Sequence, residues 1–246
     1  MNSAYTEFAA VYDELMSDIP YDLYVELIDE AVHGLDGKKV LDVGCGTGLL
    51  SLMLTKAGAM VDGIDLSEEM LSVARKRAAA HHQEITFKRQ LMQEINEREI
   101  YDAAVIPIDA LNYVTDPQEV FQTFKNIYHA LKPNGHLLFD VHSTYKTDEI
   151  FMEGPFTFDN GRIAYIWETF EGEADHDVYS EIAFFVKQES GLYKRFDEAH
   201  HQRTMPVFAY VEMLEKAGFT IERIFADWED EPPTEESERI FFQVRK

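Results

Sequence analysis

Cysteine is almost missing: the 246-residue chain has one, Cys45. A single thiol excludes an internal disulfide framework and a cysteine-built zinc site, and it suits a reducing, cytoplasmic setting. Basic residues are also scarce, with 22 Lys and Arg against 46 Asp and Glu and a net charge of −24. Proteins grip nucleic-acid backbones and anionic lipid with Lys and Arg, so neither polyanions nor membrane surfaces are expected partners. No apolar run reaches the roughly 18 residues of a membrane-spanning helix. The opening MNSAYTEFAAVYDELM has no basic stretch and carries Glu7, Asp13 and Glu14, so it does not read as a secretory signal. No His-x-x-x-His spacing occurs, and the adjacent pairs His81-His82 and His200-His201 cannot both face one ion, so no metal is expected.

What is present fits a packed globular protein, with 46% hydrophobic and 13% aromatic residues. Residues 1–35 read as helical, Phe8, Val11, Tyr12 and Leu15 falling at helical spacing and Leu23, Leu27 and Ala31 repeating it beyond Pro20. The period then changes. Short β-branched runs at Lys39–Val43, Met60–Ile64, Ile85–Phe87, Asp102–Ile106 and His136–Val141 alternate with helical stretches over Thr47–Lys56, from Ser67 onward and over Pro117–Leu131. Strands apolar on both faces and separated by helices predict a doubly wound, mostly parallel Rossmann-like sheet. Two C-terminal strands, Phe219–Trp228 and Arg239–Val244, bring it to seven, after a helix over Val207–Lys216. Between residues 150 and 203 the pattern becomes alternating and aromatic, which predicts a three-stranded antiparallel meander inserted over the active site. The expected organisation is an N-terminal helical lid (1–35), a main domain (36–149 and 204–246) and an inserted β cap (150–203).

The chemistry starts at VLDVGCGTG, residues 40–48. Glycines after a first strand let the backbone approach a ligand, and the following helix offers unpaired N–H groups. A dinucleotide loop spaces its glycines G-x-G-x-x-G; here the third glycine is Gly48, one residue early, which disfavours a nicotinamide oxidoreductase. Asp42 at the strand end can reach a ligand ammonium, so the loop suits a cofactor with an amino-acid tail. Asp65 closes the second strand, seventeen residues beyond Gly48. An acid there can accept hydrogen bonds from two ribose hydroxyls.

Over residues 35–142 the sequence resembles the class I S-adenosylmethionine-dependent methyltransferases, with weaker support at 200–246. VLDVGCGTG looks like that family's glycine motif, VDGIDLSEEML like its ribose-binding segment and YDAAVIPIDALNYV like the loop that faces the reactive methyl. The resemblance implies S-adenosylmethionine as cofactor, with Gly44, Cys45 and Gly46 at its methionine moiety and Asp65 at the ribose. Leu66 and Met70 then lie beside the adenine. Leu91 stands where the family usually carries an Asp, leaving backbone groups and the apolar Leu91 and Met92 to hold the ring. Pro107, Ile108 and Asp109 are implied near the sulfonium, and Asn112 and Tyr113 on the acceptor side. FAAVYDELM and AHHQR are similar to a bacterial group acting on small molecules, in which the N-terminal helix folds over the cofactor; Tyr12 and Tyr21 are the corresponding lid residues.

The lone cysteine inside the glycine loop leaves no nucleophile for C5-pyrimidine methylation. The run Ile106-Pro107-Ile108-Asp109 also lacks the Asn-Pro-Pro-aromatic pattern of amide and adenine methylation. The expected reaction is methyl transfer to an O or N atom of a small-molecule acceptor. Candidate bases are His142, at the end of the fifth strand, and one of His200 and His201, since neighbours on a strand face opposite ways. We place His201 on the cleft, with Arg203 on the same face to orient an anionic acceptor. The meander aromatics Tyr165, Trp167 and Phe184 either roof the substrate pocket, Trp167 against the acceptor, or form a dimer or partner interface. A monomer or homodimer fits both. The alternatives are a carrier of the cofactor, or a non-catalytic scaffold acting through a protein partner.

Overall fold

A computed structural model describes residues 19–246. The described residues begin with α1 (Tyr21–Val32) and β1 (Lys39–Val43), then α2 (Leu49–Lys56), β2 (Met60–Asp65), α3 (Glu68–Ala80), β3 (Thr86–Arg89) and β4 (Tyr101–Ile106). It continues through α4 (Pro117–Ala130), β5 (Leu131–His142), four strands β6 (Phe156–Asp159), β7 (Ile163–Glu171), β8 (Asp177–Lys187) and β9 (Tyr193–Arg203), and closes with α5 (Val207–Ala217), β10 (Thr220–Ala226) and β11 (Arg239–Arg245). Local chemistry explains the boundaries. Ser67 caps α3 by accepting from the Met70 N–H, Asp116 caps α4 by accepting from the Gln118 N–H ahead of Pro117, and Gly218 ends α5 in the left-handed conformation.

The main sheet has seven strands in the order β10-β11-β5-β4-β1-β2-β3. All pairs are parallel except those made by β11, which runs antiparallel to both β5 and β10. Neighbouring residues on each central strand are buried on opposite faces. Val40, Val61 and Val105 pack with Tyr24 and Ile28 of α1 and Leu50 and Leu54 of α2. Leu41, Ile64 and Ile106 pack with Phe124 and Ile127 of α4 and Tyr210 and Leu214 of α5. This two-sided burial explains the unbroken apolar runs. The order reverses between β1 and β4, and at such a point the loops beyond the strands' carboxyl ends diverge and leave a crevice.

The inserted sheet, β6-β7-β8-β9, has four strands instead of the expected three. The added strand, β6, pairs Phe156 with Trp167 and Phe158 with Tyr165. Hydrogen bonds hold the insertion against the main sheet's rim, among them the Gln202 side chain donating to Asp109 Oδ2 at 2.9 Å and Asn112 Nδ2 donating to the Arg203 carbonyl at 2.8 Å. Among the described residues, no helix is long and apolar enough to cross a membrane.

Candidate active site

A cavity of about 430 Å³ lies at the switch point, above the carboxyl ends of β1 and β2. Its floor is the glycine loop. The Gly44 and Cys45 N–H groups donate to the Ile64 carbonyl at 2.8 and 3.0 Å, folding the loop back onto β2. Gly44 has φ +75°, and a Cβ there would lie 2.7 Å from the Ala110 Cβ, so glycine is required where the loop passes the turn after β4. Gly46 has φ +52° and open space where a Cβ would stand, which leaves its backbone bare to the cavity. Its N–H donates to Asp65 Oδ2 at 2.8 Å, and the Ser67 N–H donates to Asp65 Oδ1 at 2.8 Å. Each Asp65 oxygen keeps a second lone pair for a ligand hydroxyl.

Asp42 is wholly buried beneath this floor. Ser51 Oγ–H donates to its Oδ2 at 2.5 Å, while Oδ1 has no partner. Burial pushes its pKa up to about 7, against the Ser51 hydrogen bond and with help from the nearby Asp65 charge. A buried acceptor without a donor is uncommon and costly. The unpartnered oxygen fits the ammonium of a cofactor's amino-acid tail, met directly or through water.

The far wall comes from Pro107, Ile108, Ala110 and Tyr113, with Glu198 and His200 reaching in from β9; Leu66, Met70 and Met92 supply an apolar side. Among the described residues, no Lys or Arg lines the cavity.

Behind this wall is a buried ion network. Ile108 and Asp109 both have left-handed φ, 54° and 50°, a conformation that strains a β-branched residue. Asp140 holds the pair by accepting the Ile108 N–H at 2.7 Å and the Asp109 N–H at 2.9 Å. The Tyr24 hydroxyl donates to Asp140 Oδ1 at 2.5 Å. Arg239 pairs with Asp140 and, at 2.8 Å, with Asp109 Oδ1, while His142 Nε2 lies 3.3 Å from Asp109 Oδ2. Burial alone would raise the Asp109 carboxyl, but the His142 and Arg239 charges and hydrogen bonds outweigh it and hold it well below the usual carboxylate range.

Several expected site residues meet at the cavity: Tyr21, Asp42, Gly44, Cys45, Gly46, Asp65, Leu66, Met70, Met92, Pro107 and Tyr113 all line it. Tyr12 lies outside the described residues. Others are placed elsewhere. Leu91 is not among the lining residues; it precedes the short turn of helix at Met92–Glu94. Asp109 is turned into the Arg239 and His142 network rather than toward the cavity. Asn112 is buried, and its amide bridges the His142 N–H and the Arg203 carbonyl, which makes it a clip between β5 and the insertion. His142 is 5% exposed, with Nε2 on Asp109, and its ring edge meets Phe151 at 5.2 Å.

The β9 face is the other correction. His201 sits on Asp177 at 2.6 Å and stacks on Tyr179, and Arg203 donates to the Asp175 carbonyl, so neither reaches the cleft. His200 does. The parity signal was Phe196: the inward face carries Phe196, Glu198, His200 and Gln202 at alternate positions. Trp167 packs between Phe151 and Phe156 instead of lining the cavity. Sequence reasoning missed Glu198 and the clamp formed by Tyr24, Asp140 and Arg239. An Asp within the apolar run LLFDVH was a readable signal, because buried charge needs partners.

Sheet order, glycine floor, paired acids and a cleft at the switch point together define a Rossmann-like enzyme that binds a nucleoside cofactor with an amino-acid tail. A methyltransferase-domain family model matches residues 40–135. A Geobacillus relative is 44% identical over 98% of this chain and 99% of its own, and the Bacillus subtilis protein YqeM is 44% identical over 98% and 97%; both are named as methyltransferases. The crystal structure of an S-adenosylmethionine-dependent methyltransferase from Clostridium acetobutylicum superposes with a TM-score of 0.89 at 29% identity, covering 99% of each chain. The chain belongs to the class I S-adenosylmethionine-dependent methyltransferases, and S-adenosylmethionine is its cofactor.

Proposed function

We propose that the chain transfers the cofactor's methyl group to an O or N atom of a small molecule bound in the cavity beside Tyr113 and His200. The observation that carries this reading is the cavity itself: its volume is of small-ligand size, it is roofed by β9, and it presents Asp42, Asp65 and Glu198 without any Lys or Arg among the described residues. A phosphate backbone would meet only carboxylates there.

The residues present fit the cofactor, as the partnerless Asp42 Oδ1 requires. Asp42 would take the ammonium, directly or through water, with the Gly44–Gly46 backbone along the amino-acid tail. Asp65 would take the ribose hydroxyls, and Leu66, Met70 and Met92 the base. When bound, the cofactor supplies an electrophilic methyl on a sulfonium. In-line displacement needs little covalent help from the protein, so positioning carries much of the rate. Pro107 and Ile108, fixed by the Asp140 clamp, form the wall against which the acceptor must align.

A panel of phenols, sugar amines, tRNA and a protein lysate incubated with radiolabelled S-adenosylmethionine tests the acceptor class. Label is expected in small molecules alone, and only with enzyme that retains Asp65, Asp65→Ala giving little or none; incorporation confined to tRNA or protein would overturn the reading.

A further inference from the structure

Three polar side chains meet at the acceptor end of the cavity: the Tyr113 hydroxyl is hydrogen-bonded to His200, and the far side of the His200 ring lies within ion-pair distance of Glu198. Tyr113 comes from the turn after β4, and Glu198 and His200 occupy alternate positions of β9, so both β9 side chains leave the same face. The Tyr113 hydroxyl lies 3.0 Å from His200 Nδ1, and His200 Nε2 lies 3.2 Å from Glu198 Oε2. The two rings meet edge to face at 5.9 Å.

The order of partners sets the direction of proton flow. An ionised Glu198 can only accept, so it places the imidazole proton on Nε2 and leaves the Nδ1 lone pair for the Tyr113 hydroxyl. Tyr113 then donates to His200 and keeps its own lone pairs for another donor. All three residues line the same cavity as Asp42, Gly46 and Pro107. A nucleophile-side hydroxyl, an imidazole and an orienting carboxylate are the parts that activate a poor nucleophile in other enzymes.

We propose that Tyr113, His200 and Glu198 form a proton relay that ionises the acceptor, and that the acceptor is a phenol-like or enol-like hydroxyl. The proposal rests on the methyl-transfer reading of this cavity. A hydroxyl is a weak nucleophile until its proton leaves. Burial and the Asp109 and Glu198 charges push the Tyr113 phenol up, which keeps its hydroxyl protonated as the donor to His200, and a phenol or enol gives up its own proton to such a relay more readily than an aliphatic alcohol.

In the step, the acceptor proton passes to Tyr113 Oη as the Tyr113 proton passes to His200 Nδ1, leaving an imidazolium beside Glu198. The acceptor oxygen's electron pair forms the O–CH₃ bond, the C–S bonding pair returns to sulfur to leave the thioether, and the imidazolium proton is released to water.

The test uses 4-nitrophenol, whose ionised and neutral forms absorb differently, with the S-adenosylhomocysteine complex at a pH where the free phenol is neutral. Bound probe is expected to show the phenolate band in the wild type. His200→Gln and Tyr113→Phe should lower the ionised fraction about tenfold or more, the size of a general-base effect. Glu198→Gln should lower it too, and Glu198→Asp should restore part of it. Calorimetry with S-adenosylhomocysteine checks that each variant keeps its fold and cofactor cavity. Probe bound as neutral phenol, equal ionisation in His200→Gln, or no probe binding to the loaded protein each overturn the relay while leaving the family reading intact. A wild type that fails to bind S-adenosylhomocysteine overturns both.

Discussion

At Asp42 the energetics of a single residue connect the empty and loaded states. One carboxylate oxygen holds Ser51 and the other faces no donor, so burial keeps the pKa near 7. The folded value lies above the unfolded one, so this group's contribution to stability is complete below the ordinary carboxylate range and is lost as pH rises through about 7. A cofactor ammonium favours the ionised carboxylate and pulls the other way. Cofactor binding at pH 6 should therefore release a proton, which calorimetry in buffers of different ionisation heat measures directly. Asp42→Asn should abolish that release and weaken binding by about tenfold or more, or 1.4 kcal/mol. Equal proton counts in wild type and variant would show that Asp42 does not meet the ammonium.

The elements around the turn after β4 depend on one another through Arg239. Opposite His142 in the β5–β11 register, its guanidinium joins Asp140, which holds the strained Ile108-Asp109 backbone, to Asp109, which takes Gln202 from β9. Removing it leaves two buried carboxylates facing each other, and breaking a buried pair this way costs about 3–5 kcal/mol. Arg239→Ala should lose that much in urea unfolding at neutral pH. Asp109 is held low, so its stabilisation is present above the ordinary carboxylate range and lost as pH falls through and below it; the variant should show a shallower acid-side loss. A change under about 0.5 kcal/mol, the level of an ordinary surface substitution, would show the network to be unimportant. The sequence made the strands and the glycine floor legible, because both-face burial writes continuous apolar runs and the loop needs glycine at Gly44. It did not make the clamp legible, since Tyr24, Asp140 and Arg239 meet only when β11 runs antiparallel beside β5. The His200 face was legible in principle from Phe196, but the neighbouring Arg203 drew the cleft assignment to the wrong parity.

Across the whole molecule the dominant quantity is charge. The chain carries −24, and three of its acids, Asp42, Asp65 and Glu198, line the cavity with no Lys or Arg beside them among the described residues. Surface ion pairs such as Arg75–Glu68 and Arg195–Asp197 are exposed and screened by solvent, so they leave the overall field in place. That field attracts cations into the cleft and repels polyanions from it. S-adenosylmethionine differs from its product S-adenosylhomocysteine by one positive charge at sulfur while keeping the same contacts elsewhere. The acidic field should thus favour substrate over product and help the product leave. Screening works against this preference: the Debye length falls from about 30 Å at 0.01 M salt to about 8 Å at 0.15 M. Calorimetry across that range should show S-adenosylmethionine affinity falling several-fold while S-adenosylhomocysteine affinity changes little. Parallel slopes for the two ligands would mean that local contacts, and not the molecule's charge, set the preference.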